Sequence, residues 1–149
     1  IKKIILLIAL VSFSSSCDYT PIHSGEESNI QINITNLLGD TEINNYVSKE
    51  LKRKSKNSGE KIEVKINSHF SKKVLARDTK SFATDYELKV VGKFELIKGD
   101  KTKSFIITEK FRYKNLNDNY EQSNYEDMIK KNLMKTVVNK LILRINNFK

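Results

Sequence analysis

The chain contains one cysteine, Cys17, one proline, Pro21, and no tryptophan. A single cysteine excludes an internal disulfide, so any stable fold must rest on a packed core. Five glycines among 149 residues leave little material for tight catalytic loops, and neither a glycine-rich phosphate loop nor a nucleophile elbow occurs. The two histidines are His23 and His69, and neither has a second ligand at metal spacing, so no metal or other cofactor is expected. Asp78 and Asp85 flank a connection, where acidic residues are ordinary turn formers, and no paired carboxylates mark a cleft. No apolar run approaches the roughly 20 residues of a membrane-spanning helix. These absences point to a binding or scaffolding protein and away from an enzyme.

Among the features present, the N-terminus is the most explicit. Residues 1–16, IKKIILLIALVSFSSS, have a basic start at Lys2 and Lys3, an apolar run over 4–11, and small residues leading to Cys17. This is the layout of a secretory signal peptide. A cysteine at the cleavage point resembles the bacterial lipoprotein arrangement, in which the thiol is lipidated and becomes the new N-terminus. Ser14 stands where such motifs usually carry leucine. The expected organisation is a signal peptide over 1–16, a lipidated tether over 17–29 and a single domain over 30–149.

With 27 Lys and Arg against 18 Asp and Glu, the formal charge is +9. A basic surface favours polyanions such as nucleic acid, anionic lipid headgroups or phosphorylated glycolipid. Export argues against nucleic acid. The other open reading is a Lys- and Asn-rich composition set by an A+T-rich genome, with no partner implied.

Periodicity outlines six elements. Ile30, Ile32 and Ile34 alternate with polar residues as in a half-buried strand. Asp40 or Thr41 caps a helix whose Ile43, Tyr46, Val47 and Leu51 share one face. After Ser58-Gly59, a second strand carries Ile62, Val64, Ile66 and Phe70 inward. A polar connection around ARDTKS leads to a third strand with Tyr86, Leu88, Val90, Phe94 and Leu96 on one face. Residues 98–101, LysGlyAspLys, read as a hairpin turn, and the return strand places Phe105, Ile107, Phe111 and Tyr113 together, with Glu109 interrupting them. Ser123 and Glu126 fit a capping box opening a long amphipathic helix with Tyr125, Met128, Ile129, Leu133, Val137, Leu141, Ile145 and Phe148 on its apolar face. The expected fold is α+β, a two-layer sandwich in which a four-stranded mixed sheet carries both helices on one face, in the order β-α-β-β-β-α. Phe111-Arg112-Tyr113-Lys114 imitates an RNA-stacking surface, but alternation turns its aromatics toward the core.

The run Cys17-Asp18-Tyr19-Thr20-Pro21-Ile22, the stretches ArgAspThrLysSerPhe and AlaThrAspTyrGluLeu over 77–88, and TyrGluAspMetIle opening the last helix resemble the LptE family of lipopolysaccharide-assembly lipoproteins across essentially the whole exported chain. The resemblance implies an outer-membrane, lipid-anchored protein on the periplasmic side that plugs an LptD β-barrel and helps deliver lipopolysaccharide to the cell surface, without catalysis. It also implies lipopolysaccharide contact by basic residues near the second connection between strands, here Arg77 and Lys80 with Lys72 and Lys73 nearby. The loop before the last helix, residues 115–122, has no basic residue, so only Lys114 at its edge can serve there. Asp18 departs from the outer-membrane pattern, because aspartate after the lipidated cysteine retains enteric lipoproteins in the inner membrane. The alternative function is an envelope lipoprotein that binds another anionic component with no barrel partner.

Overall fold

The computed structural model describes residues 29–148, so the expected signal peptide, Cys17 and most of the tether lie outside the described residues. Six elements follow in order: β1 (Ile30–Gly39), α1 (Thr41–Lys54), β2 (Glu60–Arg77), β3 (Ala83–Lys98), β4 (Lys101–Lys114) and α2 (Asn119–Asn146). The strands form one sheet in the order β1-β2-β3-β4. β1 and β2 are parallel, and the other two pairings are antiparallel. A parallel pair needs a crossover, which α1 supplies, while the antiparallel pairs need only turns. The expected α+β architecture is therefore the observed one, with both helices on one face.

At the β1–α1 junction the backbone leaves little choice of residue. Gly39 has φ +91°, and a Cβ there would lie 1.8 Å from the Ser68 carbonyl oxygen. Asp40 then caps α1, its Oδ1 accepting from the Ile43 amide at 3.0 Å. Helical spacing buries Ile43, Val47 and Leu51. The buried polar pair beneath them is satisfied, since Ser68 Oγ donates to Asn44 Oδ1 at 2.8 Å and Asn44 Nδ2 donates to the Leu38 carbonyl at 2.9 Å. Leu37 and Leu38 continue β1 after a bulge between Ile34 and Asn36, and alternation sets them on opposite faces, across from Ile66 and Asn67.

The core lies between the helices and the inner sheet face, where Ile62, Val64 and Ile66 of β2 meet Leu88, Val90, Phe94 and Leu96 of β3. Gly92 interrupts the apolar row of β3 because the Phe94 ring occupies the space its Cβ would need, at 2.4 Å. α2 covers β3 and β4 with Ile129, Leu133, Val137, Leu141 and Ile145, joined by Met134 and Val138. Met128, expected on that apolar face, is 51% exposed.

The start of α2 differs from expectation. Asp118 is the N-cap, its side chain accepting from the Glu121 amide at 2.8 Å, so Ser123 lies within the first two turns. An earlier acidic cap meets the same need for the free amides, and it releases Glu126 for a different task. Glu109 on the inner face of β4 also has a partner, an ion pair with Lys140 of α2. Phe111 shares the inner face with Tyr113, yet on this edge strand it stays 43% exposed.

Candidate functional site

β2 and β3 run on past the helices. Burial along β2 ends near Phe70, and every residue from Leu75 to Phe82 is exposed. Their shared end is a free-standing hairpin, in which Ala76 and Arg77, expected in a connection, still pair with Asp85 and Ala83.

The tip is built by Asp78. Its Oδ1 accepts from the amides of Lys80 and Phe82, each at 2.9 Å, and its own amide donates to the Phe82 carbonyl at 2.9 Å. Ser81 adopts φ +66° to close the turn, and Arg77 Nη1 donates to its carbonyl at 2.8 Å. Asp78 is thus a turn-former, and Asp85 accepts from Thr84 Oγ1 at 2.8 Å. What remains presented at the tip is the Lys80 side chain, the rest of the Arg77 guanidinium and Phe82, which is 68% exposed. The tip thus presents cationic and aromatic side chains together, with their charged ends in water.

The five basic candidates do not form one cluster. Arg77 and Lys80 meet at the tip. Lys73 lies on the outer sheet face opposite Glu87, and Lys114 ends β4 opposite Asp85. Lys72 turns to the helix side, where its Nζ binds Glu126 Oε1 at 2.6 Å and sits 4.5 Å over the Tyr86 ring. Cys17 is outside the described residues.

Glu126 fastens the root of the hairpin. Its Oε1 also accepts from Gln122 Nε2 at 2.8 Å and from the Tyr113 hydroxyl. Tyr113 stacks on Tyr86 with ring centroids 5.5 Å apart and meets Tyr125 edge-on at 5.7 Å. Burial alone would raise the Glu126 carboxyl, but the hydrogen bonds from Lys72, Tyr113 and Gln122 together hold it below its ordinary value. Burial first, and then the hydrogen bond to Glu126, push the Tyr113 hydroxyl upward. β2, β3, β4 and α2 are thereby tied at one point.

Two open grooves accompany the hairpin. One, of about 690 Å³, runs between β1 and α1 past Ile32, Ile34, Leu37, Ser48 and Lys52. The other, of about 620 Å³, crosses the outer sheet face between Leu38 and Ile106. No group of three or more metal-ligating side chains occurs among the described residues.

This architecture is shared with bacterial lipoproteins of known structure. Rare lipoprotein B from Shewanella oneidensis superposes with a TM-score of 0.59 at 13% identity, over 78% of this chain and 94% of that one. Lipoprotein B from Nitrosomonas europaea gives 0.58 at 13%, over 83% and 88%. A minor lipoprotein from Acinetobacter baumannii gives 0.52 at 14%, over 77% and 93%. At such identities the likeness is one of fold. No curated protein sequence matches the chain. The family model for LptE, lipopolysaccharide-assembly, matches residues 28–145, and the chain belongs to that family.

Proposed function

We propose that this protein is an outer-membrane lipoprotein, anchored through Cys17, that plugs an LptD-type β-barrel, assists its assembly and helps deliver lipopolysaccharide to the cell surface. The observation that carries this reading is the LptE family match over residues 28–145, and the fold common to envelope lipoproteins supports it. The role is one of binding, with no reaction catalysed. One acyl chain holds a protein to a membrane only marginally, whereas the several chains of a mature lipoprotein hold it stably.

In this reading the protruding hairpin is the contact element for lipopolysaccharide. Arg77 and Lys80 give charge-assisted hydrogen bonds to phosphate, and Phe82 meets the apolar part of the lipid. Lys73 and Lys114 flank the hairpin as weaker contributors. Lys72 can reach a ligand only by leaving Glu126.

Isolating C-terminally tagged protein from detergent-solubilised envelopes tests the reading. It requires a large β-barrel protein in roughly equimolar amount. Recovery without a barrel, from envelopes in which the barrel is detectable, would overturn it in favour of a lipoprotein acting on another anionic envelope component. Separating inner from outer membranes in the same preparation decides the effect of Asp18.

A further inference from the structure

The outer sheet face carries a charge arrangement that folding does not require. Gly99, with φ +55°, and Asp100 form a two-residue turn that closes β3 on β4 through the Lys98–Lys101 pair. In such hairpins the closing pair is hydrogen-bonded, and the two kinds of pair then alternate. The amide of Asn115 donating to the Thr84 carbonyl at 2.7 Å obeys the same alternation at the far end. Lys89 and Lys110 are direct partners in this register, and counting from the turn makes theirs a non-hydrogen-bonded pair, the kind whose side chains stand closest.

Two lysine side chains therefore leave the sheet side by side on one face. No carboxylate among the described residues lies within ion-pair distance of either. In the adjacent row the sole acid is Glu87, flanked by Lys73 and Arg112. Its carboxyl is held low by the Arg112 hydrogen bond at 2.8 Å, with Lys110 and Lys73 adding to the effect. Ser71 completes the row of the lysine pair. Like charges directly opposite destabilise a sheet, and Glu87, shared with Lys73 and Arg112, offsets this pair only at long range, so an anion bound over the row would relieve the repulsion.

On its other side come His69, Val91 and Thr108, and then Lys93 paired with Ile106, with Leu38 across Asn67. Ile106 is 61% exposed, and it forms with Leu38 the apolar walls of the 620 Å³ groove, which Lys65, Asn67, Lys93, Glu95 and Ser104 also line. Four residues of strand, about 14 Å, separate the lysine pair from Ile106.

We propose that the outer sheet face binds a single anionic amphiphile, with a phosphate group between Lys89 and Lys110 and an acyl chain in the groove between Leu38 and Ile106. The charge selects phosphate, and the groove beside it selects a lipid over a free anion. The inference rests on the glycolipid-handling role above for its biological setting. Its test is independent of the barrel, so the two readings fail separately.

Purified full chain in detergent is titrated with short-chain phosphatidic acid, with phosphatidylcholine of the same chain length and with inorganic phosphate. Phosphatidic acid should bind saturably and at least about tenfold more tightly than the other two. Lys89→Gln/Lys110→Gln should weaken it about tenfold, while Lys131→Gln/Lys135→Gln on exposed α2, an equal charge change, should leave it within about twofold. The first variant should melt no lower than the parent, since it relieves repulsion. Equal weakening in both variants would mean diffuse electrostatics and sink the site. Phosphate binding as tightly as phosphatidic acid would remove the acyl seat, and absence of saturable lipid binding would reject the proposal outright.

Discussion

Removing the Glu126 carboxylate should loosen the root of the hairpin more than any other single polar change on this surface. Three donors converge on its Oε1, from Lys72, Tyr113 and Gln122. The Lys72 pair is partly exposed, so it contributes about 0.5 kcal/mol, and the i,i+4 contact with Gln122 contributes a few tenths. The largest share is Tyr113, a buried residue at 7% exposure, whose hydroxyl loses its acceptor at a cost of about 2 kcal/mol. Glu126→Ala should therefore destabilise by about 3 kcal/mol. With an unfolding entropy of about 2.1 cal/mol/K per residue, a domain of this size should melt about 12 °C lower. Thermal and urea unfolding followed by circular dichroism measure this, and Tyr113→Phe completes a double-mutant cycle with a coupling of about 1 kcal/mol. The pH dependence has a fixed sign. The folded-state carboxyl titrates below its unfolded value of about 4.3, so its contribution is complete above that pH and disappears as pH falls through the folded value. Glu126→Gln should flatten the acid limb of the stability curve. A melting shift under about 2 °C with Glu126→Ala, or an unchanged acid limb with Glu126→Gln, would refute the reasoning.

Further expectations concern the core, the junction and the tip. Leu141→Ala, at a fully buried position on α2, should cost about 2–5 kcal/mol in urea unfolding. Gly39→Ala should be worse than an ordinary Gly→Ala change, because the new Cβ meets the Ser68 carbonyl at a backbone angle that side chains avoid. Its measured cost should exceed about 1 kcal/mol or the chain should fail to accumulate. Lys80→Gln combined with Phe82→Ser should leave stability within about 0.5 kcal/mol, since both side chains are exposed, yet reduce lipopolysaccharide capture by the purified protein. Capture at the parental level would remove the tip from the contact surface.

Much of this fold is legible because its strands are amphipathic. Alternation in 86–96 and 105–113 fixes which side faces the core, and the two-residue turn at Gly99-Asp100 fixes the register. The opposition of Lys89 and Lys110 follows from that turn by counting, although neither residue stands out in a search for motifs. What the sequence hides is long-range. Ser123-x-x-Glu126 is a sound local helix start, but Asp118 takes the cap, and Glu126 is claimed by Lys72 and Tyr113, both distant in sequence. Lys72 and Lys73 look alike in a row of letters. Strand alternation sends one to α2 and the other to the outer face. Likewise Glu109 looks misplaced on an apolar face until Lys140 arrives from α2. The protrusion of the β2–β3 hairpin depends on where the helices stop covering the sheet, a property of packing that no local pattern encodes.

The one parallel pairing in the sheet bears on the order of assembly. β2, β3 and β4 form a meander whose contacts begin across tight turns, and the pairing of β3 with β4 starts between residues only three apart, Lys98 and Lys101. β1 instead finds β2 across thirty residues, Ile30 against Glu60, and must close a loop containing α1 before any ladder bond rewards it. The meander is therefore expected to form early and the β1 edge late. If the chain is exported as proposed above, β1 precedes its partner through the translocation machinery, so the first strand of the sheet would be the last to take its place in it.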